Sequence, residues 1–558
     1  MSKSLKLNKK ELYFVPLGGC GHFGANLNLY HYDGQWLAID CGMGFADERL
    51  PGVDILLPDP SFIEERNDKL AGLIITHAHE DHIGGVAHLW PRLKCPVYAT
   101  PFTMEVLKRK LQEVPYGNDV PLIEVENKGK ASVGPFDLEW VNMAHSIPDT
   151  SSIIVRTPEG VVLHSGDWNF DPAPMAGFKS DEGRLKALGE EGVLAYVGDS
   201  TNSCVPGTSG SESELCADFE KLFKRAKGKI GVTLFSSNIG RLKTVLKAAK
   251  ATDRYVCPVG RSLKNMADIA RQFDIIEEDG IFVSEEEAAY CADDRIVYVL
   301  TGSQGEPRAQ LPKVAKGEHP TVTLGEGDML IFSARAIPGN ERGIIDMRNM
   351  LVARGVEVIT PKQAHIHVSG HPAQDEVAHM FQLIRPHCVI PVHGEIEQQE
   401  GHALIAQRCQ VPHSLVPENG AVIRITKEKG LEHIDHVPTE LLACDQARII
   451  SMDHPTIRER RKLSFNGSAF ASFAVDKHNN VSDFQLSTLG VVDEDDPQDA
   501  QALEELFDSI EDRFDKFSDK EWADAAYIEE EIRILIRRYF RNEYKLSPIT
   551  IVHMSRFQ

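Results

Sequence analysis

The segment Thr76-His77-Ala78-His79-Glu80-Asp81-His82 constrains this chain more than any other. It places three imidazoles and the carboxylate of Asp81 within six residues, directly after the apolar run Leu73-Ile74-Ile75. A short apolar run predicts a buried strand, and a strand end is a rigid platform for fixed coordination. In an extended turn His77 and His79 project to one side while Asp81 and His82 fall to the other, so one loop serves two neighbouring cations. Mixed imidazole and carboxylate donors suit zinc or manganese. The helical metalloprotease motif, with two histidines four residues apart, does not match this spacing. His88, in a helix predicted over 86–90, reads as an ordinary half-buried histidine.

Two cations need more donors than one loop supplies, and the same pattern of an apolar strand ending in a ligand-type residue recurs. Asp167 follows Val161-Val162-Leu163-His164-Ser165-Gly166, where the small Ser165-Gly166 pair allows close backbone approach. His145 lies in Met143-Ala144-His145-Ser146-Ile147-Pro148-Asp149 and His393 in Ile390-Pro391-Val392-His393-Gly394-Glu395. Singly, each histidine reads as structural. Together with the first cluster they complete two shells: His77, His79, His145 and Asp167, and Asp81, His82, Asp167 and His393, with Asp167 as the bridge.

At 558 residues the chain exceeds one hydrophobic core and should divide into about three or four domains. No apolar run approaches the roughly 20 residues that span a membrane. The N-terminus, Met1-Ser2-Lys3-Ser4-Leu5-Lys6, is basic and leads into residues 11–16 without a hydrophobic secretion core. Ten dispersed cysteines without a CxxC pair fit free thiols in a reducing compartment, so a cytoplasmic protein is expected. The net charge of −23 argues against a nucleic-acid partner only if it is uniform. It is not: residues 493–521 hold 13 acidic and 3 basic side chains, whereas Arg241, Lys243, Arg254, Arg261 and Lys264 form a locally basic stretch. A basic channel is permitted there, although for any one of these residues a solvated helix face is the preferred reading.

Residues 1–200 alternate short apolar runs with turns, predicting strands over 11–16, 26–32, 36–40, 73–76, 96–100, 152–156 and 161–164 and a strand-rich sandwich carrying few helices. From about residue 211 the texture becomes helix–strand alternation, with helices over 212–227 and 241–249 and strands over 231–235, 296–300 and 329–333. That alternation implies a parallel, helix-covered sheet. After residue 345 a helix, a strand over 357–360 and the His-rich segment 365–371 return to the first domain. Residues 427–453 read as a linker. The remainder forms a small unit ending in an Arg-rich helix at 528–544 and a strand at 549–553.

Beyond the ligand loop, the chain carries Pro16-Leu17-Gly18-Gly19, His145-Ser146-Ile147-Pro148-Asp149, Ser165-Gly166-Asp167, Asp199-Ser200-Thr201-Asn202, Ser236-Ser237-Asn238, Thr301-Gly302-Ser303-Gln304-Gly305-Glu306-Pro307, Ile337-Pro338-Gly339-Asn340-Glu341 and His367-Val368-Ser369-Gly370-His371. With these motifs it resembles, nearly end to end, the metallo-β-lactamase-fold nucleases of the β-CASP group, and within them the bacterial ribonuclease J family. The HxHxDH loop alone marks only a superfamily of lactamases, glyoxalases and sulfatases; the later motifs mark the nuclease branch.

The resemblance implies an α/β fold: an αββα metallo-β-lactamase sandwich (1–208 and 346–426) interrupted by a β-CASP domain of parallel sheet with helices (209–345), a linker (427–463) and a small α+β C-terminal domain (464–558). It implies two divalent metal ions per subunit, zinc with manganese or magnesium as alternatives, and RNA entering a cleft between the two domains. Asp40 matches the family's first motif and orients the 77–82 loop through hydrogen bonds. Asp199, His371 and His393 fall on the motifs that distinguish β-CASP nucleases, which makes His371, held by Asp199, the acid. Ser237, Asn238, His367, Ser369, Gly370 and His371 match the pocket for a substrate 5′-monophosphate; the alternative is that Ser237-Asn238 is only a strand-to-helix turn capping the 241–249 helix. One position departs from the family pattern: His22 stands in Gly18-Gly19-Cys20-Gly21-His22-Phe23-Gly24 where the family carries a Glu. That loop also imitates a dinucleotide-binding fingerprint, but a strand rather than a helix is predicted to follow it.

The activity implied is a 5′-to-3′ exonuclease on single-stranded 5′-monophosphate RNA with additional endonuclease cleavage, acting in RNA processing and mRNA decay. Two cations lower the pKa of a shared water and neutralise phosphoryl charge; Asp81 orients the nucleophile and takes its proton, and His371 protonates the leaving 3′ oxygen. The C-terminal unit resembles the one through which such subunits associate, implying a homodimer or homotetramer. The rival readings are a small-molecule hydrolase such as a lactonase or thioesterase, a binding protein with a dead site, and a nuclease acting on DNA or pre-mRNA.

Overall fold

The structure is a computed structural model that describes residues 5–47, 49–277, 280–306, 308–337, 339–493 and 495–557. Glu48, Glu278, Asp279, Pro307, Pro338, Glu494, Gln558 and the first four residues lie outside the described residues.

Strands rich in Leu, Ile, Val and aromatic side chains build two sheets that face each other. The first has eight strands in the order Gly430–His436, Ala421–Thr426, Leu12–Gly18, Leu27–Tyr32, Gln35–Ile39, Leu70–Ile74, Val97–Ala99 and Leu122–Glu124; the second has seven, ordered His413–Ser414, Cys388–Val392, Ala195–Asp199, Gly160–His164, Ser151–Thr157, Phe136–Asn142 and Lys130–Val133. Phe14, Leu37, Ile39 and Ile74 of one meet Phe136, Trp140, Ile153 and Ile390 of the other in a shared core. Helices Glu182–Glu191, Gln374–Ile384 and Ile396–Arg408 cover the second sheet's outer face, burying Leu185, Leu188, Val377, Phe381 and Ile405 against it. This is the expected αββα layering. Late segments complete both sheets: Cys388–Val392 pairs in parallel with Ala195–Asp199, and Ala421–Thr426 pairs antiparallel with Leu12–Gly18.

The inserted segment forms a separate five-stranded, all-parallel sheet ordered Tyr255–Val259, Ile296–Leu300, Ile230–Thr233, Met329–Phe332 and Glu357–Ile359. Its strands are buried on both faces beneath helices, as parallel sheets require. Position 345 falls inside helix Glu341–Ala353, and the sheet runs on to Ile359.

Several local expectations change. The 86–90 helix extends to Leu93, and the 212–227 helix is a 3-10 turn at Glu212–Glu214 followed by Leu215–Arg225. Helix Pro101–Leu111, unread in the sequence, is buried on several sides through Phe102, Met104, Val106, Leu107 and Leu111. The stretch read as a linker carries regular structure, including strand Gly430–His436 and helix Pro455–Asn466.

The chain divides into two compact units, one comprising residues up to Phe45 with Ile55–Leu442, the other Ala46–Asp54 with the chain from Ala443 onward. The second contains a three-stranded sheet ordered Val481–Leu489, Ser468–Val475 and Ile549–Arg556, packed by helices Pro497–Phe514 and Ala525–Glu543 through Leu506, Ile510, Ile532 and Ile536. Most of the acidic 493–521 segment lies on the first of these helices. All ten cysteines are free thiols. Among the described residues, no helix is long and apolar enough to cross a membrane.

Candidate dinuclear metal centre

The ends of strands from both sheets meet at one edge of the sandwich. Gln35–Ile39 delivers Asp40, Leu70–Ile74 delivers the 76–82 loop, Gly160–His164 delivers Asp167, Ala195–Asp199 ends in Asp199, and Cys388–Val392 delivers His393. The 76–82 loop is extended only as far as His79; residues Glu80–Ile83 close into a helical turn, so Asp81 and His82 project from a helix rather than an extended turn. That turn fits because residue 42 is glycine: a Cβ there would stand 1.6 Å from the Asp81 carbonyl oxygen.

The two donor sets expected from sequence come together. Ligand atoms of His77, His79, His145 and Asp167 lie within 4.8 Å of one another, and so do those of Asp81, His82, Asp167 and His393. Asp167 Oδ2 is 3.6 Å from His77 Nε2 and 3.3 Å from His82 Nε2, while Oδ1 is 3.6 Å from His393 Nε2. These separations are long for hydrogen bonds but suit donors surrounding a cation. Both Asp167 oxygens and His77 Nε2 are buried without any hydrogen-bond partner. A buried carboxylate left bare costs several kcal/mol, so the orphaned atoms fit two metal ions sharing Asp167. His88 lies in neither set.

Neighbouring groups aim the ligands. Asp40 Oδ1 accepts from the Thr76 backbone N–H at 2.9 Å, and Oδ2 accepts from His82 Nδ1 at 2.7 Å, leaving Nε2 toward Asp167. His145 Nδ1 donates to Gly370 O at 2.7 Å, and His145 Nε2 lies 3.0 Å from His79 Nδ1. Asn26, which sequence reading missed, lies with Oδ1 3.1 Å from His393 Nδ1 and donates from Nδ2 to the Asp81 carbonyl at 3.0 Å. Its signal was weak: a buried amide at the start of a strand. Asp40 (φ 63°) and His393 (φ 54°) hold left-handed backbone, strain of about 1–3 kcal/mol each that persists where the surroundings over-determine it.

Electrostatics divide the cluster. Burial, with neighbouring imidazoles, pushes His79 down to about 3, His145 to about 4 and His77 well below its ordinary value, so all three are neutral, as ligands must be. Burial also opposes charge on His82, but Asp167, Asp81 and Asp40 outweigh it and hold its pKa well above normal. Asp167 stays well below the carboxylate range despite burial, held there by His393 and His82. Asp81 is likewise held low against burial by His82 and His393.

A third group flanks the two sets. His371 Nδ1 donates to Asp199 Oδ2 at 2.8 Å, and although burial disfavours its charge, Asp199 and Asp167 raise His371 to about 9. Asp199 is itself fixed by the Thr201 N–H at 2.8 Å. The loop carrying His371 is tied in: Asn202 Nδ2 donates to Ser369 Oγ at 2.8 Å and to His371 O at 3.1 Å. A Cβ at Gly370 would strike the His145 ring at 2.6 Å, so only glycine lets this loop lie so close.

The inserted segment contacts the loop that carries His145. The Gly240 N–H, at the start of helix Ile239–Ala251, donates to the carbonyl of Ser146, next to His145. Asn238 caps that helix by accepting from Arg241 N at 2.8 Å. Burial, with Arg241 and Arg335 nearby, pushes His367 down to about 3. The basic stretch expected at 241–264 does not line a channel as a set: Arg241 is fully buried in an ion pair with Glu212, Arg254 caps the carbonyls of Ala226 and Gly228, and Lys264 pairs with Glu285. His22 packs against the His393 loop through a bridge to Gly394, and burial, with His393 near, lowers it to about 4. Strand Leu27–Tyr32, not a helix, follows the glycine-rich loop.

The comparisons with known proteins follow the same divisions. Residues 21–202 match the metallo-β-lactamase superfamily, 227–351 the ribonuclease J β-CASP domain, 353–409 the Zn-dependent metallo-hydrolase RNA specificity domain and 455–557 the ribonuclease J C-terminal domain. The chain is 38% identical over 553 residues to ribonuclease J of Sinorhizobium meliloti, covering 98% of both chains, and 33% identical over 562 residues to that of Helicobacter pylori strain 26695, covering 99% of this chain and 81% of the other. Ribonuclease J of Thermus thermophilus is 33% identical over 464 residues, covering 81% and 80%. A crystal structure of a protein of unknown function from Enterococcus faecalis V583 shares the fold across 75% of this chain and all of its own, with a TM-score of 0.53 at 16% identity. Likeness on this scale, over nearly the whole chain and through each of its folded parts, makes the chain a member of the ribonuclease J family, a metal-dependent ribonuclease.

Proposed function

We propose that this ribonuclease degrades single-stranded RNA from a 5′-monophosphorylated end in the 5′-to-3′ direction, cleaves internally as a second activity, and serves RNA processing and mRNA decay in the cytoplasm. One observation carries the reading: the 369–371 loop, which bears the acid and part of the phosphate pocket, is tied to both His145 and Asp199 beside the two donor sets.

His77, His79, His145 and Asp167 would hold one divalent cation, and Asp81, His82, Asp167 and His393 the other. Zinc suits the imidazole-rich donors, with manganese or magnesium as alternatives. When bound, the pair supplies Lewis-acid chemistry, providing a nucleophile at neutral pH and offsetting phosphoryl charge. Asp81 orients the attacking water and takes up its proton as the new P–O bond forms. As the water oxygen bonds phosphorus and the P–O3′ bond breaks, His371 gives the Nε2 proton to the departing 3′ oxygen. Its raised pKa keeps that proton available at neutral pH, and Asp199 fixes the ring through Nδ1. The products are a 5′-phosphate and a 3′-hydroxyl. Asp40 positions the 77–82 loop.

Ser237, Asn238, His367, Ser369 and Gly370 would cradle the terminal phosphate beside the Gly240 end of the helix. Asn238 Oδ1 is committed to the cap, which leaves its amide N–H₂ for an anion. The 464–558 unit is proposed to join subunits into a dimer or tetramer. Degradation rates for one RNA bearing a 5′-monophosphate, 5′-triphosphate or 5′-hydroxyl test the pocket; equal rates on all three would sink it.

A further inference from the structure

Two arginines approach the loop that carries His371, and they are placed very differently. Arg241 is buried and its charge is neutralised: Nε and Nη2 donate to the Glu212 carboxylate at 2.7 and 2.9 Å, and the remaining donors reach Ser333, Ile366 O and Val368 O. Arg335, just beyond strand Met329–Phe332, is exposed. Its Nη1 donates to Asn202 Oδ1 at 3.0 Å, and among the described residues no carboxylate pairs with it. In a chain of net charge −23, a guanidinium beside the reaction centre that is held by a neutral amide keeps its full charge for a ligand.

The tether is specific. The same Asn202 amide donates to Ser369 Oγ and His371 O, so Arg335 is one side chain removed from the loop bearing the acid. Its own backbone is pinned, since Gln304 Nε2 donates to Arg335 O at 2.9 Å and Gln304 Oε1 accepts from Ile337 N at 2.7 Å. Arg335 also lies close enough to His367 to oppose protonation of that ring. A planar fork with unspent donors, fixed at one nitrogen, is suited to the oxygens of a phosphate.

We propose that Arg335 is a specificity-determining residue that binds a phosphate of the RNA lying against the 369–371 loop, with Asn202 holding it in register. The inference rests on the ribonuclease reading of the site; only the choice between a terminal 5′-phosphate and an internal phosphodiester depends on the proposed pocket.

The full-length, metal-loaded protein is compared with Arg335→Met and Arg335→Lys on one RNA carrying either a 5′-monophosphate or a 5′-hydroxyl, over a series of salt concentrations, with melting temperatures recorded. Arg335→Met is expected to raise KM about tenfold or more, the scale of a lost charge-assisted hydrogen bond, with a smaller change in kcat. The slope of log(kcat/KM) against log[salt] should fall by about 0.7, one phosphate contact on a single strand. Arg335→Lys should keep the wild-type salt slope while recovering only part of the KM. A KM effect confined to the 5′-monophosphate substrate assigns the terminal phosphate, and one shared by both substrates assigns an internal phosphodiester. Unchanged KM and salt slope on both, or a raised KM with an unchanged slope and a lowered melting temperature, overturns the proposal. Wild-type protein that ignores the 5′ end would sink the pocket while leaving the Arg335 comparison intact.

Discussion

The Asp167 cluster and the Arg241–Glu212 pair both bury charge, and they treat it in opposite ways. Around Arg241 each charged donor has a partner: Glu212 receives two guanidinium bonds and the Thr244 hydroxyl, and backbone carbonyls take the rest. Around Asp167 both carboxylate oxygens and the facing His77 nitrogen have none. A network that satisfies its own charges holds the fold together; one that leaves buried donors facing each other, and is propped from behind by Asp40 and Asn26, is shaped to hold cations.

That contrast is broken most severely at its centre. Asp167→Ala removes the donor common to both sets, so metal content should fall from two ions per chain and RNA cleavage by on the order of 10³-fold or more, read by elemental analysis and an end-labelled assay. His371→Ala should lower kcat by about 10²- to 10⁴-fold while leaving metal content unchanged, since it separates proton donation from ligation. The acid's pH profile sharpens the point. With His371 held up to about 9, activity should fall as pH rises through about 9, and Asp199→Asn should move that fall toward the free imidazole value of about 6.5. The sign is the same for stability of the metal-free protein. The folded pKa is raised, so the contribution is complete below about 6.5 and lost as pH rises through about 9.

The complete network should respond through folding instead. Arg241→Met leaves Glu212 buried without its partner and should cost about 3–5 kcal/mol in denaturant unfolding, whereas the Arg241→Met, Glu212→Gln double variant should cost less. If the single variant were the milder of the two, the pair would not be the clamp described. The smallest effect is expected at Asn26→Ala, which frees His393 to turn and should weaken metal affinity about 10- to 100-fold with the fold intact.

Much of the donor set was legible because its residues stand where apolar strands end, and strand ends in a sandwich gather at one edge. The strands over 296–300 and 329–333 were legible for a related reason: a parallel sheet buried on both faces writes continuous apolar runs. Helix Glu182–Glu191 was not, because it buries only Leu185 and Leu188 and shows no apolar stripe. Asn26 was illegible because its meaning lies in a contact 367 residues away. Arg241 was misread as surface charge because nothing local reveals that Glu212, 29 residues upstream, folds against it. The turn at Glu80–Ile83 was missed because four residues are too few to show a helical period.

The proposed mechanism has the two donor sets and the His371–Asp199 pair acting together on an RNA phosphodiester. Its most direct test incubates the zinc- or manganese-loaded protein and an Asp81→Ala, His82→Ala double variant with 5′-monophosphorylated RNA labelled at either end. The wild-type protein is expected to release 5′-end label progressively as mononucleotide while the double variant is inactive; equal activity in the two proteins, or hydrolysis of a lactone but not of RNA, would rule that mechanism out.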